Sequence, residues 1–182
     1  MKKYVAFLRG INIAGHNIIH MRDLRDALIK NKFENVKTYI NSGNIVIESD
    51  HDKKKVKEIF EQIIESQFKI KIDTTLKTQK ELTEIISNNP FNSKKEDDNS
   101  KRVVVMLSEK VSKDETSQLK SDEKIVENYY HKDDMLYIYY HDGAGRSKFT
   151  TAYIDKKLKV TSTARNWNTM LKMSEMLKEI RK

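Results

Sequence analysis

Residues 1–91 and 101–182 spell the same order of elements without repeating the same residues, and that order leaves the chain very few folds. In the first stretch Tyr4–Leu8 is a short apolar strand. A loop over 10–20 leads to a helix from Met21 to about Lys32, with Met21, Leu24 and Leu28 on one face. Val36–Ile40 and Ile45–Glu48 flank Asn41-Ser42-Gly43-Asn44, residues that tolerate positive φ, so this segment reads as a hairpin. Val56, Ile59, Phe60, Ile63 and Ile64 follow the helical period, with Asp50 or Asp52 as cap. A strand at 70–76 comes next. Thr78-Gln79-Lys80-Glu81 is then a capping box opening a helix that carries Leu82, Ile85 and Ile86. Pro90, the only proline, forbids its continuation.

The polar stretch "NSKKEDDNS" at 92–100 reads as a linker. The order then begins again. Arg102–Leu107 is a strand, and Ser112-Lys113-Asp114-Glu115 is a second capping box with a weaker helix behind it. Strands follow near 124–130 and 135–141. A helix at 147–157 carries Phe149, Ala152 and Tyr153 inward, a strand lies at 159–163, and a last helix runs over 166–180. Each half reads β-α-β-β-α-β with a trailing helix, which is the ferredoxin-like split motif. The expected fold is α+β, with two tandem ferredoxin-like units and antiparallel sheets. Both faces of Tyr4–Leu8 and of Val103–Leu107 are apolar, so each sheet needs cover on both sides.

Composition narrows function. The chain has 182 residues and no cysteine, which excludes disulfides, thiol nucleophiles and cysteine-ligated zinc. No apolar run reaches the roughly 18 residues of a membrane span, and Arg9 cuts the apolar stretch after Met1-Lys2-Lys3 too early for a signal peptide. A cytoplasmic protein with no membrane partner is expected. The net charge of +8 comes from 28 lysines and only 7 arginines, and it is shared equally by the two halves. Nucleic acid is therefore the weaker partner. Tyr137 and Tyr139 alternate where RNA-binding sheets keep stacking aromatics, but the flanking basic-Gly-aromatic pattern is missing. His16 and His20 have H-x-x-x-H spacing but fall in a loop, so no metal or cofactor is expected.

Two clusters carry chemistry. "RGINIAGHN" (9–17) offers Arg9, Asn12, Gly15 and Asn17, and the hairpin turn adds Ser42 and Asn44. In a sheet of order 4-1-3-2 these two loops meet at one end. The second cluster joins "HDGAGRS" (141–147), with Gly143, Gly145 and Arg146, to "TSTARNWNT" (161–169), with Thr163, Arg165, Asn166, Trp167 and Asn168. Each segment feeds a helix start, where unpaired N–H groups favour anions. Arginine can fork onto phosphate or carboxylate, which lysine cannot do bidentately. The expected function is binding of a small anionic ligand, such as a nucleotide or a nucleic-acid end. The rival readings are an enzyme on a small anionic substrate at the domain interface, and a protein–protein adaptor without ligand. For the enzyme, His16, His20, His141 and Asp142 are the nearby titratable groups. The sequence sets no oligomeric state.

"YVAFLRGINIAGHNIIHMRDLR", "VKTYINSGNIVI" and "TARNWNTMLKM" together resemble a bacterial family known as domain of unknown function 1697. The resemblance implies a two-part α+β fold of ferredoxin-like units and no established activity. Its motif positions here are Arg9, Gly10, Asn12, Gly15, Asn17, Tyr39, Ser42, Gly43, Asn44, Arg165, Asn166, Trp167, Asn168 and Thr169. Ala14 stands where the family pattern usually has Gly, and His20 where it often has Pro, which weakens any di-glycine phosphate loop.

Overall fold

The computed structural model describes residues 1–92 and 99–180. Its elements, in chain order, are β1 (Lys2–Leu8), α1 (Met21–Lys30), β2 (Glu34–Tyr39), β3 (Asn44–Ser49), α2 (Lys53–Phe68), β4 (Thr74–Thr78) and α3 (Gln79–Ser87). They continue with β5 (Arg102–Leu107), α4 (Lys113–Ser117), β6 (Asn128–Lys132), β7 (Met135–Tyr139), α5 (Thr151–Leu158), β8 (Ser162–Asn166) and α6 (Trp167–Glu179). Two four-stranded antiparallel sheets result, ordered β2-β3-β1-β4 and β6-β7-β5-β8. The expected α+β class and the paired antiparallel sheets are both present. No helix among the described residues is long and apolar enough to cross a membrane.

The fold separates into two compact units. One holds Met1–Glu84 with the stretch from Lys172 onward, and the other holds Ile85–Leu171. The division falls within α3 and within α6. Most of the linker expected at 92–100 lies outside the described residues.

In the first unit Tyr4, Ala6 and Leu8 of β1, with Ile45 and Ile47 of β3, face Leu24 and Leu28 of α1 and Val56, Phe60 and Ile64 of α2. The α2 stripe is the one its sequence period predicts, and Asp52 caps it by accepting from Lys55 N. Val5, Phe7 and Val46 point to the opposite face and are equally buried. The C-terminal turn of α6 lies on that face. Lys3 Nζ donates to the Ile180 carbonyl, and Lys37, opposite Val46, pairs with Glu179. In the second unit Val103, Val105, Leu136 and Ile138 face Ile154, Leu158, Phe149 and Leu119. Tyr137 on the other face donates its hydroxyl to the Ile85 carbonyl, and Tyr139 packs its ring on Phe91.

Several details differ from the sequence reading, β6 among them, which runs over Asn128–Lys132 and not over 124–130. Ile70 and Ile72 pack against the first core without entering the sheet, so β4 starts later, at Thr74. Ala152 is exposed, because α5 begins at Thr151 and turns Ile154 and Leu158 inward instead. β8 runs to Asn166, since its five rungs with β5 extend through Arg165.

Both capping boxes form. Thr78 Oγ1 accepts from Glu81 N while Glu81 accepts from Thr78 N at 2.6 Å, and Ser112 and Glu115 do the same. Burial pushes the Glu81 carboxyl up, but its bonds to the Lys53 ammonium and the Thr78 N–H outweigh this and hold it below the usual value. Its stabilising contribution is therefore complete above the ordinary glutamate range and is lost as pH falls through its lowered folded value. Denaturant titrations from pH 6 down to pH 3 should show this loss in the wild type and a shallower slope in Glu81→Gln. At pH 7, Thr78→Ala should cost about 1 kcal/mol.

Candidate functional site

The register of the first sheet sets Phe7 opposite Asn44, so the loop after β1 meets the β2–β3 turn. Leu8 N donates to the Gly43 carbonyl at 2.8 Å. Five residues between 10 and 17 have positive φ: Gly10, Asn12, Ala14, Gly15 and Asn17. Asparagine side chains hold this backbone. Asn12 Nδ2 donates to the carbonyls of Ile19 (2.9 Å) and Asn41 (2.7 Å), and its Oδ1 accepts from Ile19 N at 2.8 Å. Asn17 Nδ2 donates to the Gly10 carbonyl, and Asn44 Nδ2 to the Tyr39 carbonyl and to Ser42 Oγ. Asn44 is fully buried, whereas Gly15, Asn17 and Ser42 are exposed. Arg9 is half-buried, and its N–H bonds the Asp73 carbonyl. Here asparagine satisfies loop backbone, the local use for which its short amide is suited.

In the second unit β7 and β8 both end where β5 begins, so the two expected loop segments lie at one end of the sheet. Gly143 precedes a short 3-10 turn over Ala144–Arg146, and Gly145 and Arg146 are exposed. Ser147 at the foot of this turn donates to the buried carboxylate of Glu127 and accepts from Phe149 N. Arg165, read from sequence as a loop residue, lies within β8 opposite Val104. Its strand is polar because one side carries Thr163 and Arg165, and no local pattern separates such an edge strand from a loop. Asn166 is the N-cap of α6, accepting from Thr169 N at 2.8 Å. Thr163 and Trp167 are buried, and Asn168 is exposed in the first turn.

Arg102 belongs to this cluster and was missed. It opens β5 on the same face as Val104, hence on the same face as Arg165, one diagonal step away. It is buried, and Nη1 donates to Asn92 Oδ1 at 3.5 Å. The available signal was a cation fixed to the first position of a wholly apolar strand. Arg165 is half-buried and donates to the Ala164 carbonyl at 2.8 Å. Burial pulls its guanidinium down to about 10, which leaves it cationic at neutral pH.

His16 and His20 are exposed, and the His141 ring packs edge-on against Tyr139. Among the described residues no group of three or more His, Asp or Glu side chains is placed to hold a metal. Tyr137 is 1% exposed and so presents no face to a base.

Residues 1–137 match the model of a family described as "Protein of unknown function (DUF1697)". No curated protein matches the chain. Among solved structures the chain is similar to the conserved bacterial protein SP0830 from Streptococcus pneumoniae, at 24% identity and a TM-score of 0.74, covering 97% of this chain and 98% of that one. At that identity the likeness speaks for the fold alone.

The two loop glycines should respond unequally to a methyl group. A Cβ on Gly43, at φ +75°, would stand 2.7 Å from Leu8 Cβ, whereas one on Gly15, at φ +81°, meets open space. Gly15→Ala should cost about 1–2 kcal/mol of backbone strain, and Gly43→Ala about 2 kcal/mol more because a core contact must move. Asn12→Ala, which strands backbone groups at Ile19 and Asn41, should cost about 2–3 kcal/mol. Chemical denaturation ranks all three, and equal losses for the two glycines would refute the close approach at Gly43.

Proposed function

We propose that this chain, which belongs to the family of proteins of unknown function DUF1697, binds a small oxyanion, phosphate or carboxylate, at the start of α6 in its second unit. One observation carries the reading: Arg102 and Arg165 sit one diagonal step apart on the same sheet face, at the strand end from which α6 departs. Two guanidinium groups on one face can both bond a single oxyanion, and arginine's planar fork matches its geometry. Partial burial lowers the local dielectric and strengthens each such contact. The first turn of α6 adds N–H groups and the positive end of the helix dipole, with Asn168 exposed beside them. Arg146 and the turn after Gly143 border the same sheet end. The Asn-rich loop of the first unit is assigned a supporting role, because its amides are engaged with its own backbone.

The ferredoxin-like reading of each unit is part of the same proposal. It is supported by the strand orders β2-β3-β1-β4 and β6-β7-β5-β8 and by helices between the first and second and the third and fourth strands of each sheet. The division into 1–91 and 101–182 is supported by each stretch holding one complete sheet.

Titration calorimetry with inorganic pyrophosphate tests the reading. The wild type should bind, and Arg165→Gln should weaken binding by about tenfold or more, the scale of one charge-assisted hydrogen bond. Because Arg165 is half-buried, the melting temperature of the ligand-free variant serves as control. Absence of binding by the wild type, or equal binding by a folded Arg165→Gln variant, would overturn the proposal.

A further inference from the structure

Three exposed isoleucines gather at the end of the first sheet where β1 finishes. Asn12 Nδ2 donates to the carbonyls of Ile19 and Asn41, which ties the loop after β1 to the β2–β3 turn. Ile13, Ile18 and Ile40 are chain neighbours of the three residues so joined, and they are 61%, 51% and 51% exposed. A single exposed isoleucine is ordinary on a protein surface, but three around one junction make a patch. The loop that carries two of them is a small hairpin. Asn12 N donates to the Asn17 carbonyl at 3.1 Å, and His16 N to the Ile13 carbonyl at 2.8 Å. Ala14 and Gly15 close it with φ +46° and +81°, the positive values that a type I′ turn requires at both central positions. Every residue from Ile13 to Ile18 is exposed, so the hairpin stands out from the sheet end.

Ile40 adds strain to exposure. Its φ is +47°, a region where a β-branched side chain crowds its own backbone and which asparagine enters far more readily. Strain of this kind persists where the surroundings over-determine it, and it clusters at functional positions. The charges carried by the two segments have one sign. Residues 9–22 hold Arg9, His16, His20 and Arg22 and no carboxylate, and residues 35–47 hold Lys37 and no carboxylate. Asp23 follows the loop and Asp73 lies beside Arg9 just before β4, and Arg22, Lys69 and Lys71 outnumber them. An apolar tip in a cationic setting complements a surface that is negative outside and apolar beneath.

We propose that this end of the first unit docks on an anionic bilayer, with Ile13, Ile18 and Ile40 entering the headgroup boundary and the neighbouring cations meeting lipid phosphates. A fluid bilayer moulds itself to a protruding loop, whereas a protein partner would need a matching cleft. No helix among the described residues is long and apolar enough to cross a membrane, and surface contact requires none. The inference is independent of the oxyanion site in the second unit. Sedimentation with phosphatidylcholine vesicles, with and without an equal part of phosphatidylglycerol, tests it. The wild type should pellet with the mixed vesicles and stay in solution with phosphatidylcholine alone. The double variant Ile13→Ser, Ile40→Asn should lose about tenfold in partition. Ile40→Asn by itself should raise the melting temperature, because asparagine accepts positive φ, so lost partition is not lost fold. The chain has no cysteine, so Ile13→Cys carries a single polarity-sensitive dye whose emission should shift to the blue on the mixed vesicles. Absence of the wild type from the pellet at millimolar lipid, equal partition of the double variant, or an unshifted dye on a pelleted chain would each overturn the inference.

Discussion

Everything in this molecule depends on two strands that are apolar on both faces. β1 and β5 are central in their sheets, and every side chain from Tyr4 to Leu8 and from Val103 to Leu107 is buried. A sheet with one packed face has a place for helices on that side only. Val5 and Phe7, or Val104 and Met106, would leave their own face unprotected, at about 1.5–3 kcal/mol for each large side chain left in water. The trailing helices are therefore structural necessities. The end of α6 is fastened over the second face of the first sheet by Lys3 and Lys37, and the end of α3 over the second face of the other by Tyr137. Register matters as well, because a one-residue slip would send every side chain to the opposite face. Register in turn sets Asn44 against Phe7 and Arg165 against Val104, and these placements create both loop clusters.

What could be read in the sequence follows the range of the interaction involved. The capping boxes at Thr78 and Ser112 were legible because four adjacent residues contain all the chemistry. The α2 stripe was legible because its period lies within one helix. The meeting of the loop after β1 with the β2–β3 turn followed from element order alone, and the Leu8–Gly43 bond realises it. β8 was cut short because Ala164 and Arg165 become a strand only through β5, some sixty residues earlier in the chain. Arg102 escaped for the same reason. Nothing local distinguishes a strand-flanking cation from one that a distant strand brings beside a second arginine.

The two clusters also differ in the donors they present. Asn12 has two N–H donors and one carbonyl oxygen, and all three are spent on the backbone of Ile19 and Asn41. An amide so engaged can recognise a ligand only by letting go of its loop, and letting go would release a segment held in five positive-φ conformations. A guanidinium presents five N–H donors in a planar fork, and Arg165 donates from it to the Ala164 carbonyl. Composition made the clusters look alike, since Asn and Arg are both polar and both at home in binding loops. Donor capacity separates them: the asparagines build a rigid turn, and the arginines, set on strands whose positions are fixed by packing on both faces, hold charge at a defined place.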